Sequence, residues 1–324
     1  RLSEENVFEF GSIDAPEQET GRVLTTPEHY AFIKIAEGCD NRCSYCIIPY
    51  LRGKFRSRQM DDVLYEARLL AASGVKEIIV VAQDTSRYGT DLGDGKRLLP
   101  RLLKELCAIE DLHWVRLHYV YPDEIDEELI EVIASEPKIV KYLDIPIQHC
   151  NSEILEKMNR RGNGEYLRWL LKTLREKIPG LVLRSSIITG LPGEGEEEFE
   201  ELSQFLRDMR IERAGVFPFS PEEGTVAAEM ENQIDEEIKQ ARYDELMTAQ
   251  HRISLELNRE RVGTTCRVLV ERKRGSRYVG RSEFEAPETD GNIYFGSEEP
   301  CTVGEFVNVR ITGAKAYDLM GERV

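Results

Sequence analysis

The sequence predicts an α/β protein: an incomplete, TIM-like (β/α)6 barrel followed by a small all-β barrel. Two observations predict the first part. From residue 31 onward, short apolar runs rich in β-branched residues alternate with longer amphipathic stretches, six times over. Strands separated by helices of that length must mostly pair in parallel, because a parallel neighbour needs a crossover connection. A third observation predicts the second part: near residue 260 the alternation stops and gives way to short strands and turns.

Taken in order, residues 1–30 are polar, contain Gly11, Pro16, Gly21 and Pro27, and show no sustained period, which predicts an extended lead-in or linker. The strand candidates are "AFIKIA" at 31–36, "EIIVVA" at 77–82, "WVRLHYV" at 114–120, "KYLDIPI" at 141–147, "LVLRSSII" at 181–188 and "AGVFPF" at 214–219. After the first strand, Met60, Val63, Leu64, Ala67, Leu70 and Ala71 make a helical stripe. Ser57 is placed to cap its start, Asp61 and Asp62 favour its positive end, and Gly74 follows its end. The barrel is expected over 31–232, with a charged amphipathic helix at 233–260 as a connector. The runs "TTCRVLVERK", "RYVGRS", "NIYFG" and "FVNVRITG" within 261–324 predict a small barrel of oligonucleotide-binding size.

Net charge is -17 and the sequence pI is about 4.9. A chain whose main task is to grip nucleic acid needs a basic surface that releases phosphate counterions, so a basic partner fits better. From Arg259 onward acidic and basic residues are equal in number, which places the acidic excess upstream. The longest apolar runs, such as "IIVVA" at 78–82, are far short of a membrane span. Three clustered cysteines with the other four far apart, and no apolar leader, predict a soluble protein of the reducing cytoplasm.

Three of the seven cysteines are clustered: Cys39, Cys43 and Cys46, in "AEGCDNRCSYCIIP", directly after the first strand. Chemistry in such barrels collects at the carboxyl ends of the strands. A closed zinc site needs four ligands, so a zinc knuckle would require a distant histidine, whereas an iron-sulfur cube held by three thiolates leaves one iron open. The C-x3-C-x2-C spacing at this place resembles the signature of the radical S-adenosylmethionine (SAM) enzymes. The resemblance implies that Cys39, Cys43 and Cys46 hold a 4Fe-4S cluster, that SAM chelates its open iron, and that reduction releases a 5'-deoxyadenosyl radical.

By the same resemblance Tyr45 packs near the adenine, and Gln83 and Asp84, ending the second strand, recognise the methionine amino group. On the fifth strand, period-two alternation puts Arg184, Ser186 and Ile188 on one face, where Arg184 is suited to a SAM or substrate carboxylate or to a salt bridge within the barrel wall. "ITGLPGE" at 188–194 looks like an adenine-contacting turn. Arg52, Lys54, Arg56 and Arg58 in "LRGKFRSR" either clamp a substrate carboxylate or form a solvated, salt-bridged loop. His118 and His149 are read as hydrogen-bonded wall residues.

Taken with "VVAQDTSRYG", "YPDEI", "DIPIQH" and "LPGE", these motifs resemble the radical SAM methylthiotransferases, and the small barrel resembles their TRAM domain. "AQDTSRYG", "PIQH", "GRSEFEAPETDG" and "AYDL" are closer to the branch that modifies the β-carbon of an aspartate in small-subunit ribosomal protein twelve than to the tRNA-modifying branch. The resemblance implies a basic ribosomal protein as substrate, met through the TRAM domain and the acidic surface. It further implies a small redox protein as electron donor, and a second 4Fe-4S cluster on an amino-terminal domain that this sequence lacks. SAM cleavage without complete methylthiolation is therefore the expected activity of these residues alone. A tRNA-adenosine methylthiotransferase and a non-catalytic metal-binding scaffold are the alternatives.

Overall fold

The computed structural model describes residues 11–13, 15 and 22–324. Most of the lead-in expected at 1–30 lies outside them.

Six strands form one parallel sheet in chain order: β1 (Tyr30–Lys34), β2 (Glu77–Val81), β3 (Trp114–Leu117), β4 (Ile139–Asp144), β5 (Val182–Thr189) and β6 (Arg213–Pro218). Every neighbouring pair is parallel, and β1 and β6 remain unpaired to each other, so the barrel is incomplete as predicted. β2 shows why such strands read as continuous apolar runs: Ile78, Ile79 and Val80 are all buried, because a parallel sheet is covered on one side by helices and filled on the other. On β5, Leu183, Ser185 and Ile187 are buried, while Arg184, Ser186 and Ile188 share the opposite, half-buried face.

Helices α1 (Met60–Ala72), α2 (Leu99–Cys107), α3 (Glu127–Ser135), α4 (Gly164–Lys177) and α5 (Glu196–Met209) cover the outside. α1 buries Val63, Leu64, Ala67, Leu70 and Ala71, the predicted stripe, and Gly74 follows it at φ 107°. Ser57 does not cap it. The N-cap is Gln59, and the Ser57 hydroxyl instead accepts from Gly89 N–H at 2.9 Å, tying a ribbon of residues 36–37 and 56–57 to the loop after β2. The long helix α6 (Glu236–Glu260) is more than a connector, since it packs on β6 and α5 as the barrel's sixth helix. Gln250 Nε2 donates to Ile211 O at 2.8 Å and Ser254 Oγ to Glu212 O at 3.0 Å, so polar residues of α6 satisfy carbonyls entering β6.

Strands β7 (Thr265–Arg274), β8 (Arg277–Arg281), β9 (Ile293–Gly296), β10 (Phe306–Ala314) and β11 (Leu319–Arg323) close into a five-strand barrel, order β8-β9-β11-β10-β7, around Val268, Val270, Ile293, Phe295 and Val309. This barrel seats on the amino-terminal ends of the parallel strands. Trp114 meets Phe306 edge to face at 4.8 Å, within an apolar seam that includes Val140, Tyr142, Leu269 and Ala286. Beside the seam is a buried ionic network. Glu77 accepts from Arg116 Nε and Arg281 Nη2, each at 2.7 Å, and Arg281 Nε donates to Glu271 at 2.6 Å. Glu285 is paired with Arg261 and with Arg213. Burial pushes Glu77 upward, but Arg281 and Arg116 outweigh it and hold the carboxyl down at about 2; burial, Arg261 and Arg213 act the same way on Glu285, also at about 2.

Candidate functional site

At the opposite end, the carboxyl ends of the strands surround a cavity of about 530 Å³, within the range of small-molecule sites. Cys39, Cys43 and Cys46 line one side of it, all as free thiols. The chain reaches this position through Gly38, whose φ is 77° and where a Cβ would stand 2.1 Å from Lys54 O, so only glycine allows so close an approach. Cys39 N–H then donates to Gly53 O at 3.2 Å, and Cys46 N–H to Cys43 O at 3.0 Å. Distant segments clamp the loop between the cysteines. Ser44 N–H donates to Met158 O at 3.0 Å, Ala227 N–H to Ser44 O at 2.8 Å, and Asn159 Nδ2 to Arg42 O at 2.9 Å.

Burial pushes the Cys39 thiol up to about 11 and raises Cys46 as well. Left to themselves these thiols stay protonated; a coordinated metal would deprotonate them. Cys43 Sγ lies 3.5 Å from the Tyr121 hydroxyl and 4.0 Å from Arg160 Nη1.

Of the other predicted contacts, Tyr45, Gln83 and Ser186 line the cavity. Gln83 Oε1 is buried without a hydrogen-bond partner, an acceptor set in the cavity wall. The structure does not bring Asp84, Arg184 or Ile188 to that wall. Asp84 is buried and accepts from Asn41 Nδ2 at 2.8 Å and from Ser86, so its carboxylate braces the cysteine loop from behind. Arg184 is ion-paired with Asp144 at 2.9 Å deeper in the barrel. Ile188 packs with Ile154, Met158, Leu191 and Phe219. Arg58 pairs with Glu66 at 2.7 Å, Arg56 donates to the carbonyls of Arg52 and Lys54, and none of the four "LRGKFRSR" cations lines the cavity. His118 stacks on Tyr142, with burial and Arg116 lowering it to about 3, and His149 Nδ1 accepts from Asn151 N–H at 3.0 Å; both are wall residues.

Sequence reasoning missed Asn41, Tyr121, Gln148 and Arg160, all of which line the cavity. Tyr121 opens the "YPDEI" motif, and Arg160 follows the short helix Ser152–Lys157 that lies between β4 and α4. Their position after a strand's carboxyl end was the available signal.

A parallel half-barrel with three thiols after its first strand and a cavity over its strand ends defines a radical SAM protein. Residues 33–206 match the Radical SAM superfamily and residues 262–324 the TRAM domain. Proteins described as ribosomal protein uS12 methylthiotransferase RimO are similar along almost the whole chain. That of Caldanaerobacter subterraneus is 49% identical over 93% of this chain and 69% of its own length. That of Clostridium tetani is 46% identical over 94% and 68%, and that of Lachnoclostridium phytofermentans 48% over 99% and 73%. The chain belongs to the RimO family of radical SAM methylthiotransferases.

The family's cofactors are a 4Fe-4S cluster and SAM. The residues fit them. Among the described residues no three His, Cys, Asp or Glu side chains converge on a single-ion site. A cube asks for something different, since each thiolate takes a different iron; here three thiols line one cavity together with the unpartnered Gln83 Oε1. No described helix is long and apolar enough to cross a membrane.

Proposed function

We propose that Cys39, Cys43 and Cys46 hold the cluster, that SAM occupies the remaining iron with its body in the cavity, and that the product is an aspartate of ribosomal protein uS12 methylthiolated at its β-carbon. The placement of the three thiols on one wall of the 530 Å³ cavity supports this most directly. When bound, the cluster and SAM supply the electron transfer and the hydrogen-abstracting radical. The chain's own residues position and shelter that chemistry. Gln83 offers its unpaired Oε1 to a donor such as the SAM amino group, Tyr45 and Ser186 shape the cavity, and Asp84 acts from behind through Asn41.

Substrate docking is assigned to an acidic rim. Between Arg213 and Lys239 there are seven acidic residues (Glu222, Glu223, Glu229, Glu231, Asp235, Glu236 and Glu237), all exposed, and no lysine or arginine. This segment touches the cysteine loop through Ala227, so a basic protein would be steered toward the cavity. The TRAM-like barrel seats at the other end of the sheet, where its contribution to docking would be indirect. The electron donor is taken to be a small redox protein of the cytoplasm.

These 324 residues contain one cysteine triad, with the other four cysteines scattered, so a second cluster has no comparable ligand set here. The chain by itself is therefore expected to cleave SAM without completing methylthiolation. Anaerobic reconstitution should give a brown protein that releases 5'-deoxyadenosine on reduction and leaves uS12 at its original mass. A methylthio mass gain on uS12 from this chain alone would overturn the partial activity. With a full-length relative, a gain on tRNA and none on uS12 would overturn the substrate.

A further inference from the structure

Five arginines are buried among the described residues: Arg116, Arg160, Arg213, Arg242 and Arg281. Four of them have a carboxylate within 3.5 Å: Arg116 and Arg281 on Glu77, Arg213 on Glu285, and Arg242 on Glu194. Arg160 does not. Its Nη2 donates to Pro146 O at 2.6 Å, its Nη1 to the Tyr45 hydroxyl at 3.4 Å, and its guanidinium lies 4.2 Å from the centre of the Tyr121 ring. Each of these partners is formally neutral. The remaining contact is Cys43 Sγ, 4.0 Å from Nη1; the carboxylate that feels Arg160 at longer range, Asp123, is itself paired with Arg161 at 2.6 Å. A buried charge without a counter-ion is costly, and arginine does not escape the cost by losing its proton. The same loop is fixed by Arg160 N–H donating to Leu155 O at 2.9 Å, so the cation is held in place by backbone as well as by stacking.

We propose that Arg160 is a positioning residue whose guanidinium is the fixed counter-charge of the iron-sulfur centre at Cys43, and that it raises that centre's reduction potential. The inference rests on the assignment of Cys43 as a ligand. A thiolate-bound cluster carries net negative charge, and one-electron reduction adds another unit, while the cation stays at the same distance. The attraction is therefore larger in the reduced form, and the electron is held more favourably than it would be beside a neutral side chain. Tyr45 and Tyr121 keep the guanidinium dry and oriented, which preserves the effect against solvent screening.

The test is a redox titration of the reconstituted full chain without SAM, followed by electron paramagnetic resonance, for the unmodified protein, Arg160→Gln and Arg160→Lys. Arg160→Gln should lower the reduced-to-oxidised ratio at a given potential on the order of tenfold, about 59 mV for one electron, while Arg160→Lys retains most of the original potential. A cluster in Arg160→Gln with an unchanged potential overturns the proposal. If Arg160→Gln fails to fold or to load iron, the lysine variant decides: retention of cluster and potential supports a charge role, and loss of either shows that the guanidinium acts through packing. Failure of the unmodified chain to load a cluster would instead overturn the assignment of the three cysteines.

Discussion

The two ends of the parallel barrel are both lined with buried charge, and they treat it in opposite ways. At the amino-terminal end every buried arginine meets a carboxylate: Glu77 takes Arg116 and Arg281, Glu271 takes Arg281, and Glu285 takes Arg261 and Arg213, with a second barrel covering them. At the carboxyl end three thiols, the Gln83 carbonyl oxygen and the Arg160 guanidinium surround a cavity; Gln83 Oε1 has no hydrogen-bond partner, and Arg160 has only formally neutral partners and no carboxylate in contact. Charges paired with opposite charges resist change and specify how two units dock. Groups left without such partners can be completed by something bound, so the incompleteness marks the working end.

The comparison is sharpened most strongly by Cys43→Ser. The variant should lose 5'-deoxyadenosine production altogether while its chemical denaturation midpoint without iron stays close to that of the unmodified chain. The reverse pattern is expected at the other end. Glu77→Gln removes a carboxylate shared by two buried arginines and should cost about 3–5 kcal/mol in denaturant unfolding, leaving the iron content of the folded fraction unchanged. A large stability loss from Cys43→Ser, or an iron loss from Glu77→Gln, would break the distinction between the ends.

Acid should weaken the sealed end first. Glu77 and Glu285 sit at about 2 in the folded chain against an ordinary 4.5, so the unfolded chain takes up protons first as pH falls. Their contribution is complete above about pH 4.5 and is lost progressively toward pH 2. Unfolding midpoints compared at pH 6 and pH 3 should show the drop, and Glu77→Gln should reduce it. The smallest effect is expected for Asp84→Asn, which weakens two hydrogen bonds behind the cysteine loop. A stability loss of about 1 kcal/mol is expected, with slower iron loading; complete loss of SAM binding would return Asp84 to the ligand contacts.

Much of the site was legible because it is local. Cys39, Cys43 and Cys46 are close in sequence, follow one strand and require no distant partner to be proposed as a ligand set. Gln83 and Ser186 followed from strand ends and from alternation, and both line the cavity. Asp84 obeyed the same rule but is turned to Asn41 behind the cavity wall, and Arg184 takes the second of its two readings, a salt bridge with Asp144 within the barrel wall. The helix α6 looked like a connector because a charged amphipathic pattern does not reveal which surface its one apolar stripe meets.

By itself the sequence determined the order of strands and helices, the closure of a separate small barrel and the chemistry of the three-cysteine loop, since periodicity, turn residues and ligand spacing act over a few residues. The tertiary structure alone decided which polar side chains are consumed by partners and which are left facing the cavity. That outcome depends on pairs such as Glu77 with Arg281, 204 residues apart, or Arg160 with Cys43, 117 apart. Desolvation and charge compensation are set by everything that packs around a group, and no local pattern in the chain encodes them.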